Sequence, residues 1–171
     1  MAAQHGELDV IGRQPLLLIV LGAHLRAELA DRPLGYRLRD RIVQWQQDTL
    51  GPASRTPAGR AASVDEPLLA AVCTDLWYLN APDLMARPTI CLGRPELNAA
   101  SAYWANRLPT ALVIDETLRI HLDPEFINLQ ACVWGRSDGG TASGVDLFEK
   151  RYLEPFLRTA HGLPTEEATE G

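Results

Sequence analysis

Nine residues of this chain combine types and positions suited to binding a small anionic or nucleotide-like molecule: His24, Arg26, Asp75, Arg94, Asn98, Arg136, Gly139, Gly140 and Thr141. They fall in four polar segments, Gly22 to Arg26, Thr74 to Asn80, Gly93 to Asn98, and Gly135 to Thr141, each directly after an apolar run. Arginines supply charge-assisted hydrogen bonds to phosphate or carboxylate. Gly139, Gly140 and Thr141 precede a helical pattern, where free backbone N–H groups and the helix dipole favour negative charge. The plainer account of the same loop is that Asp138 or Thr141 caps the helix while the glycines permit a tight turn.

Other chemistries fit less well. Lys150 is the only lysine and follows no glycine-rich turn, so a P-loop and lysine-dependent catalysis are disfavoured. No G-x-G-x-x-G follows any apolar run, which argues against a dinucleotide fingerprint, and no G-x-S-x-G is present. Cys73, with His24 as partner, is a conceivable nucleophile, but a free cysteine in an apolar run reads first as core packing. His5, His24, His121 and His161 are scattered, and Asp75, Glu96, Asp115 and Asp138 read as caps and turns, so no metal site is expected. Catalytic residues and a cofactor remain unassigned.

The elements that must position these loops are legible as apolar runs: Leu16–Leu21, Leu69–Cys73, Thr89–Leu92, Ala111–Ile114, Leu118–Leu122 and Ala131–Trp134. Most are apolar throughout, as strands are when helices cover both faces of a parallel sheet. Leu118–Leu122 alternates, with Arg119 and His121 on one face, and reads as an edge strand or a hairpin partner of Ala111–Ile114. Helical patterns lie between. One starts at Asp31 and Pro33 and carries Leu34, Leu38, Ile42 and Trp45; a second opens at Pro95 and carries Leu97, Ser101 and Trp104. A third begins near Thr141 with Val145, Phe148, Tyr152 and Phe156, kinked or ended by Pro155. Trp77 and Tyr78 fall in a predicted loop, where they and Trp134 would stack on a ring or close the core; Trp45 and Trp104 read as core.

This alternation predicts an α/β fold of three layers, a mostly parallel sheet of about five or six strands with helices on both faces, Rossmann-like or flavodoxin-like. The expected single domain spans residues 1–162, with a flexible loop near 51–66 and a disordered acidic tail at 163–171. Ligands of such sheets bind outside the carboxyl ends of the strands, which is where the four polar segments fall.

The run Thr89 to Asn98, together with Gly135 to Ala142, resembles the GGPxxN … G…GTA pattern of glycine-rich repeats in cell-wall-binding and S-layer-associated proteins. Arg94 stands in place of the second glycine, and the residues Met1 to Arg13 do not read as a secretion signal. The resemblance covers two short segments and implies an α/β layout, with no function or site residues carried over.

Composition sets the outer bounds. Of 171 residues, 46% are hydrophobic and 22% charged, which is ordinary for a globular chain. The net charge of −6 argues against a nucleic-acid partner, since such proteins present a basic face. No apolar run is long enough to span a membrane, and Cys73, Cys91 and Cys132 form no C-x-x-C pair, so a reducing, cytoplasmic setting is expected. Two readings follow: binding of an anionic or nucleotide-like small molecule at the strand ends, or a non-catalytic interaction or assembly module whose partner is a second copy or another protein.

Overall fold

A computed structural model describes residues 15–51 and 67–165. The expected loop, apart from Gly51, lies outside the described residues, as do the expected tail beyond residue 165, the first fourteen residues and His5. Six strands form one mixed sheet: β1 (Leu16–Leu21), β2 (Leu69–Thr74), β3 (Thr89–Leu92), β4 (Thr110–Ile114), β5 (Leu118–Leu122) and β6 (Gln130–Gly135). Their order is β2-β1-β3-β6-β5-β4. β2, β1, β3 and β6 pair in parallel, whereas β5 runs antiparallel to both β6 and β4. The alternating run Leu118–Leu122 is therefore the hairpin partner of β4 and lies inside the sheet. Among the described strands the edges are β4 and β2.

Among the described residues six helices accompany the sheet: α1 (Leu25–Leu50), α2 (Asp75–Leu79), α3 (Pro82–Met85), α4 (Ala99–Ala105), α5 (Asp138–Arg151) and α6 (Leu153–Ala160). The period-two alternation of β1 divides the core. Leu17, Ile19 and Leu21 meet Leu38 and Ile42 of α1, Phe148 of α5 and Phe156 of α6. Leu16, Leu18 and Val20 face the opposite way, with Tyr78 of α2, Leu84 of α3 and Ala100 of α4. The chain steps from β1 to β2 in one direction under α1, then back past β1 to β3 under α2 and α3. A single crossover hand requires that the helical layer change when the direction does.

Local chemistry moves several boundaries away from the sequence expectation. α1 starts at Leu25, not at Asp31, because His24 caps it: Nδ1 accepts the Arg26 N–H at 3.1 Å. Good helix formers from Leu25 to Ala30 carry the helix through Pro33. α4 begins after Asn98 rather than at Pro95, and α5 begins at Asp138 with Ser137 as its cap. The third helical pattern divides at Tyr152, placing Pro155 in the first turn of α6, where a missing N–H is tolerated. Trp77 and Tyr78 belong to α2; Tyr78 is fully buried and its hydroxyl accepts the Trp104 Nε1–H at 3.0 Å.

Candidate functional site at the carboxyl edge of the sheet

The parallel pairing brings Leu21, Thr74, Leu92 and Gly135 to one edge of the sheet, so all four polar segments emerge there. The hairpin between β4 and β5 turns at the same edge, because Leu118 pairs with Gly135. The loops pack on one another through glycine. A methyl group on Gly22 would overlap the Leu97 carbonyl, and one on Gly135 would overlap the backbone of Gly140. Arg94 Nη1 donates to the Arg136 carbonyl at 2.9 Å, and the Arg136 N–H donates to the Thr117 carbonyl at 2.7 Å.

Several of the nine residues hold this edge together. Asp75, almost fully buried, accepts the Ala23 N–H at 2.9 Å and its neighbour Leu76 N–H at 2.8 Å on Oδ1, and the Ala99 N–H at 2.7 Å on Oδ2. One carboxylate thus ties the β1–α1 loop to the starts of α2 and α4. Asn98 is fully buried; Nδ2 donates to the Val20 and Leu92 carbonyls, and Oδ1 accepts the Ala100 and Ser101 N–H groups. Thr141 Oγ1 accepts the Gly135 N–H at 3.1 Å and donates to the Ser137 carbonyl at 3.3 Å. Gly140 N–H goes to Ser137 Oγ at 3.0 Å. Arg26, Arg136 and Gly139 remain exposed, and Arg94 is half-buried.

The group the sequence reading missed is Asp31. It occupies the buried stripe of α1 with Ala27, Gly35, Leu38 and Ile42, and only 4% of it is exposed. Gly93, at φ +101°, leaves β3 directly against it; a side chain there would overlap Asp31 Oδ2. Among the described residues, no donor reaches the Asp31 carboxylate. Burial pushes its pKa up to about 6, the charge of Asp138 pushes the same way, and Arg94 opposes them. The sequence signal was present: an acid spaced by fours with Ala27 and Gly35 on an apolar stripe is out of place there. Its reading as a helix start concealed that.

The three cysteines are buried and free. Burial, with Asp75 adding to it, pushes the Cys73 thiol up to about 12, which removes it as a thiolate nucleophile. Among the described residues, no three His, Cys, Asp or Glu side chains gather as a metal would require, so Asp75, Glu96, Asp115 and Asp138 do not converge. No described helix is long and apolar enough to cross a membrane.

A cleft of about 770 Å³ opens at the opposite edge of the sheet, between Pro124–Phe126, the end of α5 and α6. Charged groups line it, but Arg158 there already pairs with Glu154 at 3.2 Å. Asp31 belongs to the carboxyl edge, against Gly93. No protein-family model, no curated protein and no solved structure matches the chain.

Proposed function

We propose that this chain binds a small anionic or nucleotide-like molecule where β1, β3 and β6 end, with Asp31 exchanging a proton at that site. The observation that carries this reading is the position of Asp31: a buried carboxyl that no donor among the described residues reaches, against Gly93, in the fields of Arg94 and Asp138. Strongly perturbed acids at strand ends are good candidates for functional groups. Arg94 supplies positive charge beside it, Arg26 and Arg136 are exposed on loops of the same edge, and the Asp138 and Gly139 N–H groups at the start of α5 lack helical acceptors, whereas that of Gly140 goes to Ser137 Oγ.

The strand order supports the same place. β2-β1-β3 follows the order of a flavodoxin-like sheet, in which the connections diverge between β1 and β3 and ligands bind at that switch point. Sheets of this order hold many unrelated ligands, whereas Asp31 is particular to this chain.

Calorimetry and thermal-shift titration with nucleoside phosphates, sugar phosphates and inorganic phosphate test the reading. A ligand of this site raises the melting temperature of the wild type by mass action. Its affinity falls at least about tenfold in Arg94→Ala, corresponding to about 1.4 kcal/mol, and its pH dependence near 6 disappears in Asp31→Asn. Binding that neither substitution alters, or no binding across these classes, overturns it.

A further inference from the structure

We infer that the ligand of this site is a small phosphate ester that also carries a primary ammonium group, its phosphate on Arg94 and the start of α5 and its ammonium on Asp31. This rests on the binding site proposed above and names the class of molecule that suits it. Two groups of opposite preference meet there. The Asp138 and Gly139 N–H groups lack helical acceptors, and the backbone at Gly139 is exposed, with nothing within 4 Å of where a side chain would stand. With the Arg94 guanidinium these donors suit the several acceptor oxygens of a phosphate. Asp31, in contrast, is an acceptor, only 4% exposed, that no donor among the described residues reaches.

Asp31 decides the class. Arg94 acts on it through its charge, yet Arg94 Nη1 donates to the Arg136 carbonyl at 2.9 Å and gives Asp31 no hydrogen bond. The other charge acting on Asp31, that of Asp138, has its own sign. A buried carboxylate is costly unless a donor or an opposite charge meets it. A plain phosphate seated beside Asp31 adds a further like charge, which favours the protonated acid and opposes binding at neutral pH. An ammonium group brings three N–H donors and a positive charge, so Asp31 stays ionised beside the bound phosphate. A hydroxyl in the same place supplies one donor and no charge.

The placement calls for a short molecule. Asp31 stands against Gly93, and Arg94 follows Gly93 in the chain, so the groups assigned to the two ends of the ligand are near neighbours. Asp138, the first residue of α5, lies close enough for its charge to act on Asp31. A short carbon spacer between phosphate and ammonium matches that arrangement.

Calorimetric titration of the full chain with matched pairs tests this: phosphoethanolamine against hydroxyethyl phosphate, and aminopropyl phosphate against hydroxypropyl phosphate. At about pH 7.5 we expect the ammonium member of at least one pair to bind wild type at least about tenfold more tightly than its twin. Asp31→Asn, which keeps the shape and removes the charge, brings that ratio to about one, whereas Arg94→Ala weakens both twins alike. The wild-type ratio also shrinks as pH falls through about 6, where Asp31 takes up a proton, favoured by Asp138 and opposed by Arg94. Ammonium members that bind no more tightly than their twins, or not at all while inorganic phosphate binds, overturn the inference and leave the anion site standing. A preference that survives Asp31→Asn does the same. If neither the pairs nor the phosphates titrated above bind, both readings fall. The ratio is read on the wild type, so it decides even if a variant fails to fold.

Discussion

The Asp31 carboxylate rests on the backbone of Gly93, sixty-two residues further along the chain, and only a residue without a side chain leaves room for it. Gly93 also holds φ at +101°, where any other residue is strained. Gly93→Ala therefore meets two costs together and is expected to destabilise the protein by about 2–4 kcal/mol. In Gly93→Ala, Asp31→Ala, the overlap is gone while the backbone strain persists. Urea unfolding of the four species should show the double variant losing less than the sum of the singles.

Asp31 also makes stability depend on pH, with a sign opposite to most carboxylates. Its pKa in the fold is about 6, against 3.8 for the free group, so the folded chain binds its proton more tightly than the unfolded chain. Stability from this group is present below about pH 4 and declines as pH rises towards 6. Asp31→Asn mimics the neutral form and should be more stable than wild type at pH 7.5 by about 1–3 kcal/mol. The difference between the two unfolding free energies, followed from pH 4 to 7.5, isolates this residue. A flat difference counts against a pKa of Asp31 that folding raises.

Asp75 and Asn98 act on the same helix start, one through the Ala99 N–H and the other through those of Ala100 and Ser101. Asp75→Ala takes the acceptor from the part-buried N–H groups of Ala23, Leu76 and Ala99, and Asn98→Ala strands the buried Ala100 and Ser101 N–H groups and removes the donor to the Val20 and Leu92 carbonyls. Each is expected to destabilise by about 2–4 kcal/mol, with hydrogen exchange of Ala99–Ser101 accelerated. Their effects should not add, because either loss frees the same turn of α4. Additive losses in a double-mutant cycle would show that the two act separately.

Burial holds the imidazoles of His121 and His161 below the ordinary histidine range, and the charge of Arg119 adds to this at His121. Each takes up its proton at lower pH in the fold than in the unfolded chain, so acid removes stability through these groups. His161, whose ring lies 5.7 Å from that of Trp45, has no partner at Nε2. His161→Phe should therefore lose less stability between pH 7 and 5 than wild type does, as read from denaturant midpoints at each pH. An equal loss in both proteins excludes His161 as a source of the acid sensitivity.

Strand positions and the existence of a polar edge were legible in the sequence, because burial on both faces leaves runs such as Leu16–Leu21 and Thr89–Leu92 continuously apolar. Periodicity also found the buried side of α1 at Leu38 and Ile42. What it could not supply was the partner of any polar group. The Asp75 bond to Ala23 spans 52 positions and the Asn98 bond to Val20 spans 78, so whether either side chain is free for a ligand depends on contacts no local pattern contains.

The same limit explains Leu118–Leu122 and Asp31. Alternation placed Arg119 and His121 on one face, but whether another strand lay beside them depended on β6 arriving between β3 and β5. The order of apolar runs and helical periods along the chain alone determined its α/β character and the ends at which its polar loops collect. The tertiary structure alone decided which loop residues are consumed as braces and which acid is left without a donor. Apolar burial is written locally, in runs and periods; desolvation and hydrogen bonding are set by neighbours that only folding brings together.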